Sequence, residues 1–128
     1  MKLDFIDNIN EYGDNIVRLS EFNQREAILL RDLIHEAIIV NHQALSFNKI
    51  SFVKSKDYTL TFRITAEDDG ILSDDKIDFI CCLSIAGYQK MLNLMQPYCL
   101  KETKGYKYLY DVDSSTDLLF SPKGEAPF

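Results

Sequence analysis

Cysteine offers the most direct route to chemistry in this chain, because a thiolate beside a base is a nucleophile. Two of the three cysteines, Cys81 and Cys82, are adjacent in a segment of alternating apolar residues that predicts a strand. Neighbouring side chains of a strand point to opposite faces, so these two thiols cannot act at one site. No basic residue adjoins them in sequence, and we expect both to pack as small hydrophobes. Cys99, just after Pro97, is expected nearer the surface.

The histidines and carboxylates do not have the spacing of a metal site. His35 and His42 are separated by two helical turns, about 10 Å along a helix axis, which is too far to bind one ion. The acidic run Glu67–Gly70 suggests a calcium loop. When an EF-hand loop is aligned on Gly70, Thr65 takes the first ligand position and Lys76 takes the position of the bidentate Glu. The match therefore fails at both ends of the loop. We therefore predict no metal and no cofactor.

Aromatic residues alternate at Tyr106, Tyr108 and Tyr110, as they do in the base-stacking strand of RNA-recognition domains. That strand precedes the second helix of such a domain, whereas this segment follows the second predicted helix. Lys107 and Asp111 also replace a small residue and an aromatic residue. With 14 basic and 20 acidic residues the net charge is −6, so the chain as a whole repels nucleic acid and anionic lipid. Neither nucleic acid nor a membrane is an expected partner.

The elements that position these residues follow from the spacing of the apolar side chains. In Ile77–Leu83 that spacing is two, and from Ile85 it becomes helical, which predicts a strand that leads into a helix ended by Pro97. A first helix is predicted from Asn23, which forms a capping arrangement with Glu26, to about residue 43. The other predicted strands are Leu3–Ile6, Ile16–Leu19, Ile50–Val53, Tyr58–Thr65, Gly105–Val112 and Leu118–Phe120.

Length and composition favour one globular domain. The chain has 128 residues, of which 46% are hydrophobic and 27% charged, and we assign residues 1–120 to the domain and 121–128 to a C-terminal tail. No internal repeat is evident. We predict an α+β fold of two layers, a mainly antiparallel sheet of five to seven strands with two helices packed on one face. The odd cysteine count and the lack of any long apolar run favour a cytoplasmic protein.

Two layers leave one sheet face without helices, and this face is the predicted functional surface. The strand Tyr58–Thr65 alternates strictly, so its small polar residues point away from the core. The tyrosine-rich strand is the second candidate surface. We predict a non-enzymatic protein-binding or assembly module whose partner is another protein or a second copy in a homodimer. The candidate binding residues are Thr59, Thr61, Arg63, Tyr106, Tyr108 and Tyr110.

Two other function classes stay open from the sequence. A small-molecule binder or small enzyme would use a pocket between the second helix and the sheet, near Cys82, Tyr88 and Cys99. An acidic chain of this size also suits an inhibitor or immunity-type protein that neutralises a basic partner.

Overall fold

The computed structural model describes residues 1–8, 11–112 and 116–125, and within these ranges it has an α+β architecture with two α-helices and eight strands. A π-helical segment, His35–Val40, continues the first helix, and a 3₁₀ turn, Phe47–Lys49, follows the third strand. In chain order the elements are β1 Lys2–Ile6, β2 Asn15–Ser20, α1 Gln24–Ile34, β3 Leu45–Ser46, β4 Thr59–Ile64, β5 Gly70–Leu72, β6 Asp78–Leu83, α2 Ile85–Leu100, β7 Lys107–Tyr110 and β8 Thr116–Ser121.

In the described part of the chain the strands form two mixed sheets of four. Sheet A has the order β1-β2-β8-β7 and sheet B the order β3-β4-β6-β5. The central strands of each sheet are parallel, and each edge strand is antiparallel to its neighbour. The predicted α+β class is confirmed, but one mainly antiparallel sheet of five to seven strands is wrong. Alternation along a strand indicates which side chains are buried but does not specify which strand it pairs with. The division of the strands into two sheets was therefore not predictable from alternation.

The order of elements repeats although the sequence does not. The first unit is β1-β2-α1-β3-β4 and the second is β5-β6-α2-β7-β8. Each unit contributes its first two strands to one sheet and its last two to the other, so each sheet combines both units. The parallel pairs β2–β8 and β4–β6 at the two sheet centres each match six residues in register. The units share an order of elements and not residue types, which explains why no repeat is evident in the sequence.

Buried apolar residues from both sheets and both helices form the core. Phe5 of sheet A packs on Phe79 of sheet B, with ring centroids 4.7 Å apart, and Phe62 of sheet B packs on Tyr88 of α2 at 5.3 Å. We call the sheet faces that contribute to this core the inner faces and the opposite ones the outer faces.

The first helix begins as predicted and ends differently. The Asn23 side chain accepts a hydrogen bond from the Glu26 amide at 2.9 Å, and Glu26 accepts one from the Asn23 amide, which completes a capping box. After Ile34 the backbone hydrogen bonds join residues five apart instead of four, as in the bond from the Asn41 amide to the Glu36 carbonyl at 3.0 Å. The prediction of one continuous α-helix to about residue 43 is therefore wrong over its last turns.

Three other predicted boundaries differ from the structure. Ile50–Val53 forms turns, and the short β3 takes the edge position beside β4. Pro97 lies inside α2, which continues to Leu100; the proline lacks the amide that would donate to the Asn93 carbonyl, and the helix extends only three residues beyond it. The predicted tail begins inside β8, because Ser121 ends that strand, and its last residues, 126–128, lie outside the described residues. No helix within the described ranges has the length and apolar character required to cross a bilayer.

Candidate functional site

Strand β4 presents the predicted small polar residues on the outer face of sheet B. Leu60 and Phe62 are fully buried on the inner face. Thr59 and Thr61 are half-buried on the opposite side, and Arg63 is exposed there. The alternation of this strand therefore positions its side chains as the sequence predicts.

The outer face of sheet B has an uncharged centre that its own side chains do not fully cover. Register places Leu72 beside Ile80, Ile80 beside Thr61, and Thr61 beside Ser46. We call these four residues the middle row. Ile80 is only partly buried, and Leu72 is 49% exposed. Apolar side chains in the centre of a sheet face normally pack against a second layer.

Charged residues lie on either side of the middle row. Arg63, beside Cys82, occupies the end of the face toward which β4 and β6 run. Asp78, beside Thr59, occupies the other end, and it accepts a hydrogen bond from the Thr59 hydroxyl at 2.8 Å. The outer face thus has Arg63 at one end, where the charge of Asp69 also acts on Cys82, and Asp78 at the other end, with the uncharged middle row between them.

The outer face of sheet A is different, although that sheet occupies the equivalent place in the repeated topology. Arg18 donates two hydrogen bonds to Asp4, at 2.9 and 2.6 Å, and this bidentate pairing raises the pKa of the guanidinium. Ile16 and Leu119 flank Arg18 on this face and are fully buried outside the main core cluster. The apolar residues Ile16 and Leu119 on the outer face of sheet A are therefore covered within the chain itself.

The tyrosine-rich segment lies at the edge of sheet A, away from β4. Tyr108 and Tyr110 are in β7, and Tyr106 precedes the strand, 49% exposed and edge-to-face against Tyr108 at 6.0 Å. Tyr110 packs partly buried against the core. The two predicted groups of binding residues thus belong to different sheets and do not form one surface.

Carboxylates gather near Tyr108. Burial raises the pKa of Asp117 to about 6, and the nearby charges of Asp111 and Asp14 raise it further in the same direction. Burial, followed by the charge of Asp117, also raises the pKa of Tyr108. This acidic patch is a local electrostatic cost of the fold at neutral pH.

The three cysteines are buried in separate environments. Cys81 lies in the core, where burial raises the pKa of its thiol to about 12. Cys82 lies on the outer face of sheet B, and there burial raises its thiol pKa more than the charge of Arg63 lowers it. Cys99 is buried, contrary to the expectation from sequence, and burial raises its thiol pKa as well. All three pKa shifts disfavour the reactive thiolate.

Cys82, Tyr88 and Cys99, the residues near which the sequence places a pocket, are all buried. Tyr88 is fully buried, with its hydroxyl 2.7 Å from the Cys81 carbonyl and 2.8 Å from the Arg63 carbonyl. A pocket of about 360 Å³ instead lies between α2 and β7. Its lining includes Lys90, Met91, Leu94, Tyr110, Asp111 and Val112. This pocket adjoins the second helix, as the small-molecule alternative expects, but other residues line it, because the packing of β7 beside α2 is a tertiary contact.

The acidic loop carboxylates make structural hydrogen bonds. Asp68 accepts from the amide and the hydroxyl of Ser84, both at 2.8 Å, and these bonds lower its pKa. Asp75 accepts from the amides of Ile77 and Asp78, each at 2.9 Å. Among the residues that the structure describes, no three His, Cys, Asp or Glu side chains converge as ligands for a metal ion.

Comparisons of the chain with family models, with curated proteins and with solved structures gave no match. Function is therefore inferred from the molecule's own surfaces.

Proposed function

We propose that this protein is a protein-binding module that uses the outer face of sheet B. The observation that carries the proposal is the uncharged middle row, where Ile80 of the central strand β6 and Leu72 of the edge strand β5 remain incompletely covered. Burying apolar area contributes roughly 25 cal/mol per Å², so such a face gains from a covering layer.

Sheet A supplies an internal comparison that supports this assignment. Both sheets have the same strand arrangement, yet Ile16 and Leu119 on the outer face of sheet A are fully buried. The strand arrangement, which both sheets share, therefore does not by itself determine whether apolar residues on an outer face stay exposed. The difference lies in the side chains: Arg18 and Asp4 are held together across sheet A, whereas sheet B has short or neutral residues at its centre.

The thiols and the second pocket give weaker support to other functions. All three thiols are buried with raised pKa values, which disfavours a thiol mechanism. The pocket between α2 and β7 has the size of a small-molecule site, but the residues predicted to form such a site do not line it. A binder of small molecules is the second candidate, and the sheet face is the first.

Site-specific photo-cross-linking tests the proposal. A benzophenone amino acid in place of Leu72 would project from the outer face of sheet B, and we expect irradiation in the cells that make the protein to give a discrete cross-linked protein product. The same residue in place of Leu100, which is 70% exposed at the end of α2, is the matched control. Equal, diffuse labelling from both positions would overturn the assignment of this face.

A further inference from the structure

We infer that the partner of the outer face of sheet B is a second copy of this chain. The inference rests on the proposed function and adds the identity of the partner. A two-fold interface places one surface patch against itself, so each residue on one side of the axis meets a residue from the other side. A face suits this arrangement when it is neutral at its centre and carries opposite charges on its two sides, as this face does.

The register of sheet B determines which residues would meet. When the two-fold axis runs along the middle row, across the strands, the two faces stack about 10 Å apart with their strands antiparallel. Ile80 and Leu72 of one copy then face the same residues of the second copy. This contact covers the apolar side chains that the isolated chain leaves incompletely covered.

The same axis brings the charged ends of the two faces together. Arg63 of one copy lies over Thr59 of the second copy, whose hydroxyl is hydrogen-bonded to Asp78 on the neighbouring strand. Adjacent strands are about 4.8 Å apart, a distance that an arginine side chain can span. Each dimer would therefore contain two equivalent pairs between Arg63 and Asp78, which fix the antiparallel orientation.

The size of the face indicates a weak dimer. The outer face has nine side-chain positions, of which β3 supplies one and β5 two, and they cover on the order of 300 Å² per copy, less than half of what a standard interface buries on each side. We therefore expect a weak dimer whose population depends on protein concentration. Charged pairs at the rim of a small interface are screened by salt, so dimerisation should weaken as ionic strength rises.

Sedimentation velocity of the purified chain between 5 and 500 µM tests the inference. We expect the wild type to shift from monomer to dimer over this range. Arg63→Asp and Asp78→Lys should each weaken dimerisation by about tenfold or more, because each variant opposes like charges at both pairs. Arg25→Asp, an exposed charge change of the same size on α1, is the control and should dimerise as the wild type does.

Mixing the two single variants gives the most specific result. In a mixed dimer residue 63 of each chain faces a residue 78 of opposite charge, so the equimolar mixture should dimerise at concentrations at which each variant alone is mostly monomeric. A mixture that stays monomeric would overturn the inferred geometry. A wild type that stays monomeric to 500 µM would overturn self-association, whether or not the variants fold. In that case a cross-link from position 72 to a different protein would still support the proposed function.

Discussion

At the scale of single residues, the structure assigns the chemically suggestive groups to folding. The Cys81 and Cys82 thiols point to opposite faces of β6, as the alternation of that segment predicts. The carboxylates of Asp68 and Asp75, which suggested a calcium loop, accept hydrogen bonds from nearby backbone amides and hydroxyls. Hydrogen bonds of this kind explain the acidic loop as a structural feature. Asp117 differs from these carboxylates, because burial and the charges of Asp111 and Asp14 raise its pKa.

Asp117→Asn should stabilise the protein at neutral pH. The carboxyl has a folded-state pKa of about 6, above its ordinary value, so the folded state favours the protonated form. The stabilisation that the folded state gains from the protonated Asp117 carboxyl is therefore present below about pH 4, and it is lost as the pH rises through 6. Because water screens a half-buried carboxylate, we expect the substitution to add only about 1 kcal/mol to the free energy of unfolding at pH 7.5.

Urea denaturation at pH 7.5 and at pH 4 measures this effect. The gain should appear at pH 7.5 and nearly vanish at pH 4, where the wild-type carboxyl is already protonated in the folded protein. Asp74→Asn, at an exposed loop position, is the control. An equal gain at both pH values would show that the charge of Asp117 is not the cause.

At the scale of elements, sequence patterns predicted the features that depend on residues close together in the chain. The capping pair Asn23 and Glu26 and the alternation of β4 both appear in the structure because each depends on neighbours within a few residues. The parallel pairing of β2 with β8 and the placement of β7 beside α2 depend on contacts between distant segments. No residue pattern in one sequence specifies them, so the division into two sheets and the residues that line the pocket beside α2 were not predicted.

Asn23→Ala should weaken the start of α1. The substitution removes the side-chain oxygen that accepts from the Glu26 amide at 2.9 Å, and losing such a cap costs about 1 kcal/mol of folding free energy. Chemical denaturation monitored by circular dichroism measures the loss. Asn23→Asp keeps an oxygen at the same position and should fold with nearly wild-type stability. If both variants lose the same stability, the cap is not the source.

At the scale of the whole molecule, two units with the same order of elements exchange strands to build two sheets with different outer faces. On the outer face of sheet A, Ile16 and Leu119 are fully buried and Arg18 is paired with Asp4. The outer face of sheet B leaves Leu72 and Ile80 for a partner to cover. The sequence indicated the polar stripe of β4 but not this contrast, since the contrast depends on which strands become neighbours.

Hydroxyl-radical footprinting inside the native cells tests the central claim most directly. In dilute purified protein Leu72 and Ile80 should be oxidised at rates that reflect their exposure, whereas in the cell a bound protein should lower both rates several-fold. Leu100, which is 70% exposed at the end of α2, should be oxidised equally in both settings. Unchanged oxidation of Leu72 and Ile80 in the cell would contradict the claim that the outer face of sheet B binds a protein.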